Sequence, residues 1–234
     1  MKVLANDGIS AAGQKRLEEA GFEVDTTTVA QEQLGNYIKE NNVSALLVRS
    51  ATKVRQPLMD ELNGQLKLIG RGGVGMDNID VEYARGKGIH VINTPAASSR
   101  SVAELVFAHL FGMVRYLFDS NQKMPLEGDT QFKALKKNYA AGIELKGKTI
   151  GIIGFGRIGR EVARMAYGLG MNIAVHDHNL DAVELEIPFA DGQSLKTKIQ
   201  PTDLKTVLNN SDFVTVHVSG AGKTLIGKKD FSMF

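Results

Sequence analysis

The chain has 234 residues, 43% hydrophobic and 23% charged, with 28 Lys and Arg against 26 Asp and Glu. That is enough apolar material for one large core or two modest ones and excludes a disordered chain, and a net charge of +2 spread along the length gives no basis for binding nucleic acid or an anionic membrane. The lack of cysteine excludes disulfides, thiolate metal sites and a cysteine nucleophile, and with neither a signal-like apolar region in "MKVLANDGIS" nor an apolar run of spanning length, a soluble cytoplasmic protein is expected.

From Met1 to Asn93, β-rich runs alternate with helix-like stretches. The order is "KVLAN", a helix over Ser10 to Ala20 stopped by Gly21, "FEVDT", a helix around "LGNYIKE", then "ALLVRS". It continues with a helix at "PLMDEL", Pro57 in its first turn, then "LKLIG", a short helix near Val81 to Arg85, and "IHVIN". Strands separated by helices in this way predict a mostly parallel sheet covered on both faces.

After "NTP" the pattern changes. The stretch Ser101 to Phe118 predicts a helix opening on a capping box, Ser101 with Glu104, and apolar around most of its circumference. Such a helix needs partners on several sides, either at the centre of one subunit or also between subunits, and His109 within it is expected to be packed. Asp119 to Lys148 is polar and lysine-rich, with Pro125 and Gly128, and reads as a loop and short helix on the surface. Strand "TIGIIG" follows, then a helix from Arg157 to about Leu169 and strand "NIAVHD". Last come an irregular stretch with one short strand, a helix near Thr202 to Leu208, and strand "FVTVHV", whose edge is expected to be exposed.

Gly154, Gly156 and Gly159 form GxGxxG between a strand and an amphipathic helix, the context in which this motif cradles a dinucleotide pyrophosphate. Gly154 permits the turn, Gly156 the approach of backbone to phosphate, and Gly159 close packing of helix on strand, while amides at the helix start, around Arg157 and Ile158, face the anion. Asp177 ends the next strand, where a carboxylate accepts hydrogen bonds from the ribose hydroxyls and repels the 2′-phosphate of NADP, so NAD is the expected cofactor. His178 beside it would soften that repulsion when protonated. His176 and His178 lack a third ligand for zinc, and His90 and His217 adjoin strands. "SGAGKT" at Ser219 to Thr224 fails as a P-loop because His217 stands where glycine is required.

Several longer motifs resemble the D-isomer-specific 2-hydroxyacid dehydrogenases: "LLVRSATKV" at Leu46, "LIGRGGVGMDNIDV" at Leu68, "VINTP" at Val91, "SRSVAELV" at Ser99 and "ELKGKTIGIIGFGRIG" at Glu144. The resemblance runs over most of the chain. It implies a two-domain α/β fold, with a flavodoxin-like parallel-sheet substrate domain over residues 1–95, without its C-terminal return segment. An NAD-binding Rossmann domain, incomplete at its C-terminus, follows over residues 96–234. It also implies a cleft between them and a homodimer or homotetramer.

By the same resemblance the amides of Gly72, Gly73 and Val74 hold the substrate carboxylate as an anion nest, with Val74 near the nicotinamide as well. Arg49 and Arg71 each follow an apolar run, so both fall at carboxyl ends of strands, where parallel sheets bind ligands. Two guanidiniums there suit a phosphate, with Lys53 able to join them, which favours a small phosphorylated 2-hydroxy acid as substrate. Ser98 stands where many relatives place asparagine near the substrate. His217 and Val218, ending the fourth strand of the second domain, are expected to line the cofactor pocket through their backbone, although Ser219 and Gly220 replace the usual proline. The catalytic histidine, its supporting glutamate and the substrate-polarising arginine of the family are expected beyond Phe234, so no catalytic residue is assigned and the chain reads as part of a dehydrogenase. A dehydrogenase of another hydroxy acid and a non-catalytic NAD sensor are the alternatives.

Overall fold

The apolar runs of the first ninety residues become β1 (Lys2–Ala5), β2 (Glu23–Asp25), β3 (Val43–Val48), β4 (Leu68–Arg71) and β5 (His90–Asn93). The structure is a computed structural model and describes residues 1–218, 222 and 224–233. Two compact units divide the chain, Met1–Ser98 and Ser99–Phe234.

In the first unit the five strands lie parallel in the order β2-β1-β3-β4-β5, the flavodoxin-like order, whose topological switch point falls between β1 and β3. The connections are α1 (Ala11–Glu19), capped by the Ser10 hydroxyl on the Gly13 N–H, α2 (Leu34–Glu40), α3 (Gln56–Glu61) and α4 (Val81–Gly86). Leu4, Leu46, Val48 and Ile69 on the strands pack with Leu34, Ile38, Leu58, Met59 and Ala84 on the helices to form one core. Leu47, Gly70 and Ile92 stand side by side in register on β3, β4 and β5, and Ile92 remains 54% exposed. Without a side chain at Gly70, Leu47 leans into its place: a Cβ there would lie 2.6 Å from Leu47 Cδ2.

The second unit opens with α5 (Ser99–Val114) and α6 (Leu117–Tyr139), continues through β6 (Thr149–Ile153), α7 (Arg157–Gly168) and β7 (Asn172–His176), and then forms β8 (Val183–Pro188) and β9 (Ser194–Ile199). It ends with α8 (Leu204–Asn209), capped by Asp203, and β10 (Phe213–Val216). The sheet is parallel in the order β10-β6-β7, with β10 at an edge. Since β7 lies on one side of β6 and β10 on the other, the strand order reverses at β6, where such folds open a ligand crevice.

Four expectations need correction. The long apolar helix begins at Ser99, so Ser101 lies inside it and Glu104 pairs with Arg100 at 3.0 Å; there is no capping box at Ser101. Its buried residues Ala103, Phe107, Leu110 and Val114 make a single stripe, and Leu105, Phe111 and Met113 on its other sides stay exposed. Residues 117–139 form one long helix where a loop and a short helix were expected. Tyr116 takes a left-handed φ of 54° that separates α6 from α5, and α6 tolerates Pro125 because it is largely solvent-facing, with only Leu135 buried. An Asp119–Lys123 pair at 2.8 Å and a Tyr139 hydroxyl donating to Asp119 at 2.8 Å brace it.

The third correction concerns residues 183–199, which form a full antiparallel hairpin, from Val183 opposite Ile199 to Pro188 opposite Ser194, instead of an irregular stretch with one strand. Leu185, Ile187 and Ile199 alternate inward and join the core of Ile150, Ile152, Val162, Ala163 and Val175. "FVTVHV" is accordingly the third strand of the parallel sheet and not the fourth. Lastly, His109 is exposed beside a shallow hollow lined by Val106, Leu110, Met113 and Phe213, rather than packed. Among the described residues no single helix is long and apolar enough to cross a membrane, and the consecutive pair α5 and α6 is bent by 53°.

Candidate functional site

In the second unit, β6 runs into a loop in which each motif glycine meets a different constraint. Gly154 has φ +92°, and a Cβ on it would lie 2.7 Å from the His217 carbonyl oxygen, so both conformation and space demand glycine. A Cβ on Gly159 would collide with the Gly154 carbonyl oxygen; this is the close contact between helix and turn. Gly156 differs. It has ordinary φ, −74°, and a Cβ there would meet nothing within 4 Å.

Gly156 is also the residue before α7, with no side-chain cap on the helix, so first-turn amides at Arg157, Ile158 and Gly159 are directed outward from a helix start. Arg157 is exposed there, and Ile158 is half-buried against the core. An open space in front of free amides at the positive end of a helix dipole is chemically a receptor for an anion.

Asp177 follows β7 directly and is tied to this loop. Its Oδ2 accepts the Phe155 N–H at 2.7 Å and its Oδ1 accepts the Asn179 N–H at 2.9 Å, leaving further acceptor capacity on both oxygens for a pair of hydroxyls. Partial burial pushes this carboxyl up, but the Asn179 and Phe155 N–H groups and the neighbouring imidazoles outweigh it and hold Asp177 below the ordinary carboxylate range. It is therefore an anion at neutral pH. His217 donates its backbone N–H to Ile153 at 2.7 Å, and its Nε2 lies 2.9 Å from Thr215 Oγ1. Burial pushes its imidazole below the ordinary histidine value. Val218 flanks Gly154. Ser219 and Gly220, with most of "SGAGKT", lie outside the described residues. No group of three His, Asp or Glu able to hold a metal occurs among the described residues.

In the first unit the carboxyl ends of the strands surround a cavity of about 650 Å³ lined by Asp7 to Ser10, Leu47 to Arg49, Gly70 to Gly72 and Ile92 to Thr94. Arg49 and Arg71 both belong to its wall. Arg71 lies folded against Gly73, whose Cβ would strike Arg71 Nη1, and its Nε is buried with no partner among the described residues. A buried guanidinium N–H without an acceptor is costly, and an anionic ligand in this cavity would supply one.

Gly72 lines the cavity, and Gly73 and Val74 follow it in a loop pinned to the chain after β5. Thr94 donates its N–H to the Gly73 carbonyl at 3.1 Å and Asn93 Nδ2 donates to the Val74 carbonyl at 2.7 Å. Val74 is exposed. Lys53 is exposed outside the cavity wall, where its backbone exchanges two hydrogen bonds with the Gln31 amide, and Ser98 sits half-buried in the turn before α5, also away from the wall.

Some supporting residues carried no clear signal in the sequence. Asp7 takes the Arg49 N–H at 2.6 Å, the Thr52 N–H at 3.1 Å and the Thr52 hydroxyl, which together fix the loop after β3. Burial raises its carboxyl, but these donors win and keep it ionised. Asn78, buried, donates to the carbonyls of Arg49 and Thr52 at 2.8 and 2.7 Å. Asp7 stands at a strand end just as Arg49 does, and that position was its available signal. Asn78 lies inside the motif that begins at Leu68, but far along the chain from its partners, so nothing in the sequence pointed to the two bonds it makes.

The sequence pattern of the D-isomer specific 2-hydroxyacid dehydrogenase catalytic domain matches residues 3–223. The chain belongs to the D-isomer specific 2-hydroxyacid dehydrogenase family. Among its relatives, the hydroxypyruvate reductase of Thermotoga maritima is 38% identical over 93% of this chain and 64% of its own length. The D-3-phosphoglycerate dehydrogenase of Methanocaldococcus jannaschii is 37% identical over the whole chain and 42% of its own length. The chain thus spans less than two thirds of either. The NAD+-bound 3-phosphoglycerate dehydrogenase of Entamoeba histolytica shares the fold with a TM-score of 0.69 at 25% identity, over 100% of this chain and 68% of that one. Family membership accords with both sheet orders and with the glycine loop between β6 and α7.

Proposed function

We propose that the protein is a D-3-phosphoglycerate dehydrogenase, oxidising 3-phosphoglycerate to 3-phosphohydroxypyruvate with NAD in the synthesis of serine. The observation that carries this reading is that two arginines, Arg49 and Arg71, line one cavity, with a buried Arg71 Nε that lacks an acceptor among the described residues. A phosphate offers oxygens to both, whereas an unphosphorylated hydroxy acid leaves one arginine unmatched. The ionised Asp7 in the same wall offsets part of this charge and leaves the wall net positive, with Arg49 and Arg71 against one carboxylate.

On this reading residues 1–95 form the substrate-binding part, where amides of Gly72, Gly73 and Val74 hold the substrate carboxylate. Residues 96–234 form the dinucleotide-binding part. The open face of Gly156 and the free amides of α7 fit a pyrophosphate, and the fixed anion of Asp177 fits a ribose with both hydroxyls free. Bound NAD would supply the hydride acceptor. His217 and Val218 border the turn at Gly154 and complete the pocket. Exposed Leu105 and Met113 on α5 support a homodimer or homotetramer, and a cytoplasmic setting accords with the absence of cysteine.

A second reading, reduction of hydroxypyruvate or glyoxylate, is favoured by the Thermotoga maritima relative. Calorimetric titration with 3-phosphoglycerate and with glycerate, in the presence of NADH, separates the two. The first reading expects the phosphorylated acid to bind at least about tenfold more tightly, the worth of one hydrogen bond to a charged group, with the difference lost in Arg49→Ala and Arg71→Ala. Equal binding of the two acids supports the second.

A further inference from the structure

The turn between α3 and β4 holds a reactive pair that neither ligand site uses. Gln65 donates its N–H to the Leu62 carbonyl at 2.9 Å, closing a turn whose central residues, Asn63 and Gly64, have φ of 42° and 81°. Both are exposed, and a Cβ on Gly64 would meet nothing within 4 Å. Neither the Asn63 carboxamide nor the Gly64 N–H has a hydrogen-bond partner among the described residues.

The backbone nitrogen after an asparagine is the nucleophile best placed to attack that side chain, and glycine, without a Cβ, shields it least. Two other steps of this kind occur in the sequence, Asp7–Gly8 and Asp191–Gly192. In both the nitrogen is engaged: Gly8 donates to the Ala5 carbonyl at 2.9 Å and Gly192 to the Phe189 carbonyl at 3.1 Å. Their side chains are engaged as well, since Asp7 is a carboxylate held by Arg49 and Thr52 donors and Asp191 Oδ1 accepts the Gln193 N–H at 3.0 Å. Of the three, Asn63–Gly64 alone pairs a neutral carboxamide with an unengaged nitrogen.

We propose that Asn63 is a site of spontaneous deamidation and isoaspartate formation in the folded protein. The Gly64 nitrogen bonds to Asn63 Cγ and gives up its proton, the bond from Cγ to Nδ2 breaks, and ammonia leaves with that proton, which closes a cyclic imide. Water then adds to one imide carbonyl or the other, giving aspartate or isoaspartate, with no change of oxidation state. Ring closure needs the Asn63 backbone to rotate, at the expense of the bond from Gln65 to Leu62. Because the two tip residues are exposed and Gln65 stays anchored through its side chain on the Ile38 and Val43 carbonyls, at 2.6 and 3.2 Å, this is a local opening and not unfolding. Isoaspartate adds a methylene to the main chain between Leu62 and Leu66, both buried in the core, and so loosens the entry to β4, the strand that ends at Arg71.

The test is peptide mapping by mass spectrometry of the whole chain kept in mildly alkaline buffer at physiological temperature, folded or unfolded in urea. Isoaspartate is expected at position 63 of the folded chain, formed about tenfold more slowly than in urea, the factor for opening one net hydrogen bond. Asn63→Gln, which would need a larger ring, forms none there, and its cooperative melt reports that it is folded. The converted chain should melt below the fresh one, whereas Asn63→Asp, with the charge but an ordinary backbone, melts close to it. Conversion in urea with none at position 63 of the folded chain overturns the proposal, as does isoaspartate arising from Asp7 or Asp191 ahead of Asn63. Equal melting of fresh and fully converted chains overturns the loosening assigned to the added methylene.

Discussion

Phe155 donates its backbone N–H to Asp177 Oδ2 at 2.7 Å, so the middle of the glycine loop is fastened to the carboxylate at the end of the neighbouring strand. One residue therefore serves two ends: it shapes the anion cradle and offers acceptors beside it. Asn and Ala substitutions separate these roles. Asp177→Asn keeps an oxygen for Phe155 but loses the charge and the acceptor for the Asn179 N–H, and NADH affinity is expected to fall about tenfold with a smaller drop in melting temperature than in Asp177→Ala. Asp177→Ala removes the tether too and should also lower stability, by about 1–2 kcal/mol. Fluorescence titration and thermal melts on both variants check this; equal melting temperatures for the two would show that the tether does not order the loop.

The three glycines make a sharper set. Gly159→Ala sets a methyl against the Gly154 carbonyl oxygen, and Gly154→Ala combines φ +92° with a collision at the His217 carbonyl. Both should destabilise by about 2–4 kcal/mol or fail to fold, because the opposing atoms are backbone. Gly156→Ala meets nothing within 4 Å and should cost less than about 1 kcal/mol. Its methyl would nevertheless occupy the space through which a pyrophosphate reaches the amides, so NADH affinity is expected to drop at least about tenfold in a folded protein. Chemical denaturation paired with NADH titration reads both quantities. Undiminished binding by Gly156→Ala would remove the pyrophosphate from this position.

In the first unit, Asn78→Ala should disturb, from behind and through the Arg49 backbone, the cavity wall proposed to bind phosphate. Loss of the Asn78 amide leaves the carbonyls of Arg49 and Thr52 without their donor, at a cost of about 1–3 kcal/mol. The loop bearing Arg49 then keeps its bonds to Asp7, Asn6 and Gln31 but loses the two from the Asn78 amide. Weaker binding of 3-phosphoglycerate with NADH affinity unchanged is the expected calorimetric result. A uniform loss of both would point to general unfolding instead.

Period and punctuation made most of the elements legible. The runs at Leu4, Leu46 and Ile69 are short and apolar between turn residues, and all became parallel strands. The glycine spacing located the turn before α7 because two of those positions admit no side chain at all. Local rules failed where longer-range context decides. Pro125 and Gly128 signal a break, yet an exposed helix absorbs them with a distortion at Gln131. Leu185 and Ile187 alternate correctly for a strand, but their partner strand begins only after the turn at Asp191 and Gly192, so pairing was not visible. At the site, residues at strand ends could be nominated by position. Asn78 could not, since its worth lies in two carbonyls it meets only after folding.

His217 yields a prediction in the accessible pH range. Burial lowers its imidazole pKa below the ordinary value of about 6.5, so the unfolded chain takes up its proton at a higher pH than the folded one. Stability tied to the neutral ring is therefore complete above the unfolded value and is lost as pH falls from there through the folded value. His217→Gln lacks the titration while its backbone N–H can still reach Ile153, so its melting temperature should decline less than the wild type's between pH 8 and about pH 5. Keeping above about pH 4 leaves out the carboxylates at Asp7 and Asp177, which are held low and lose their contribution only at more acid pH. Thermal melts of both proteins across that window decide the matter: parallel curves would mean that His217 is protonated as easily in the fold as out of it.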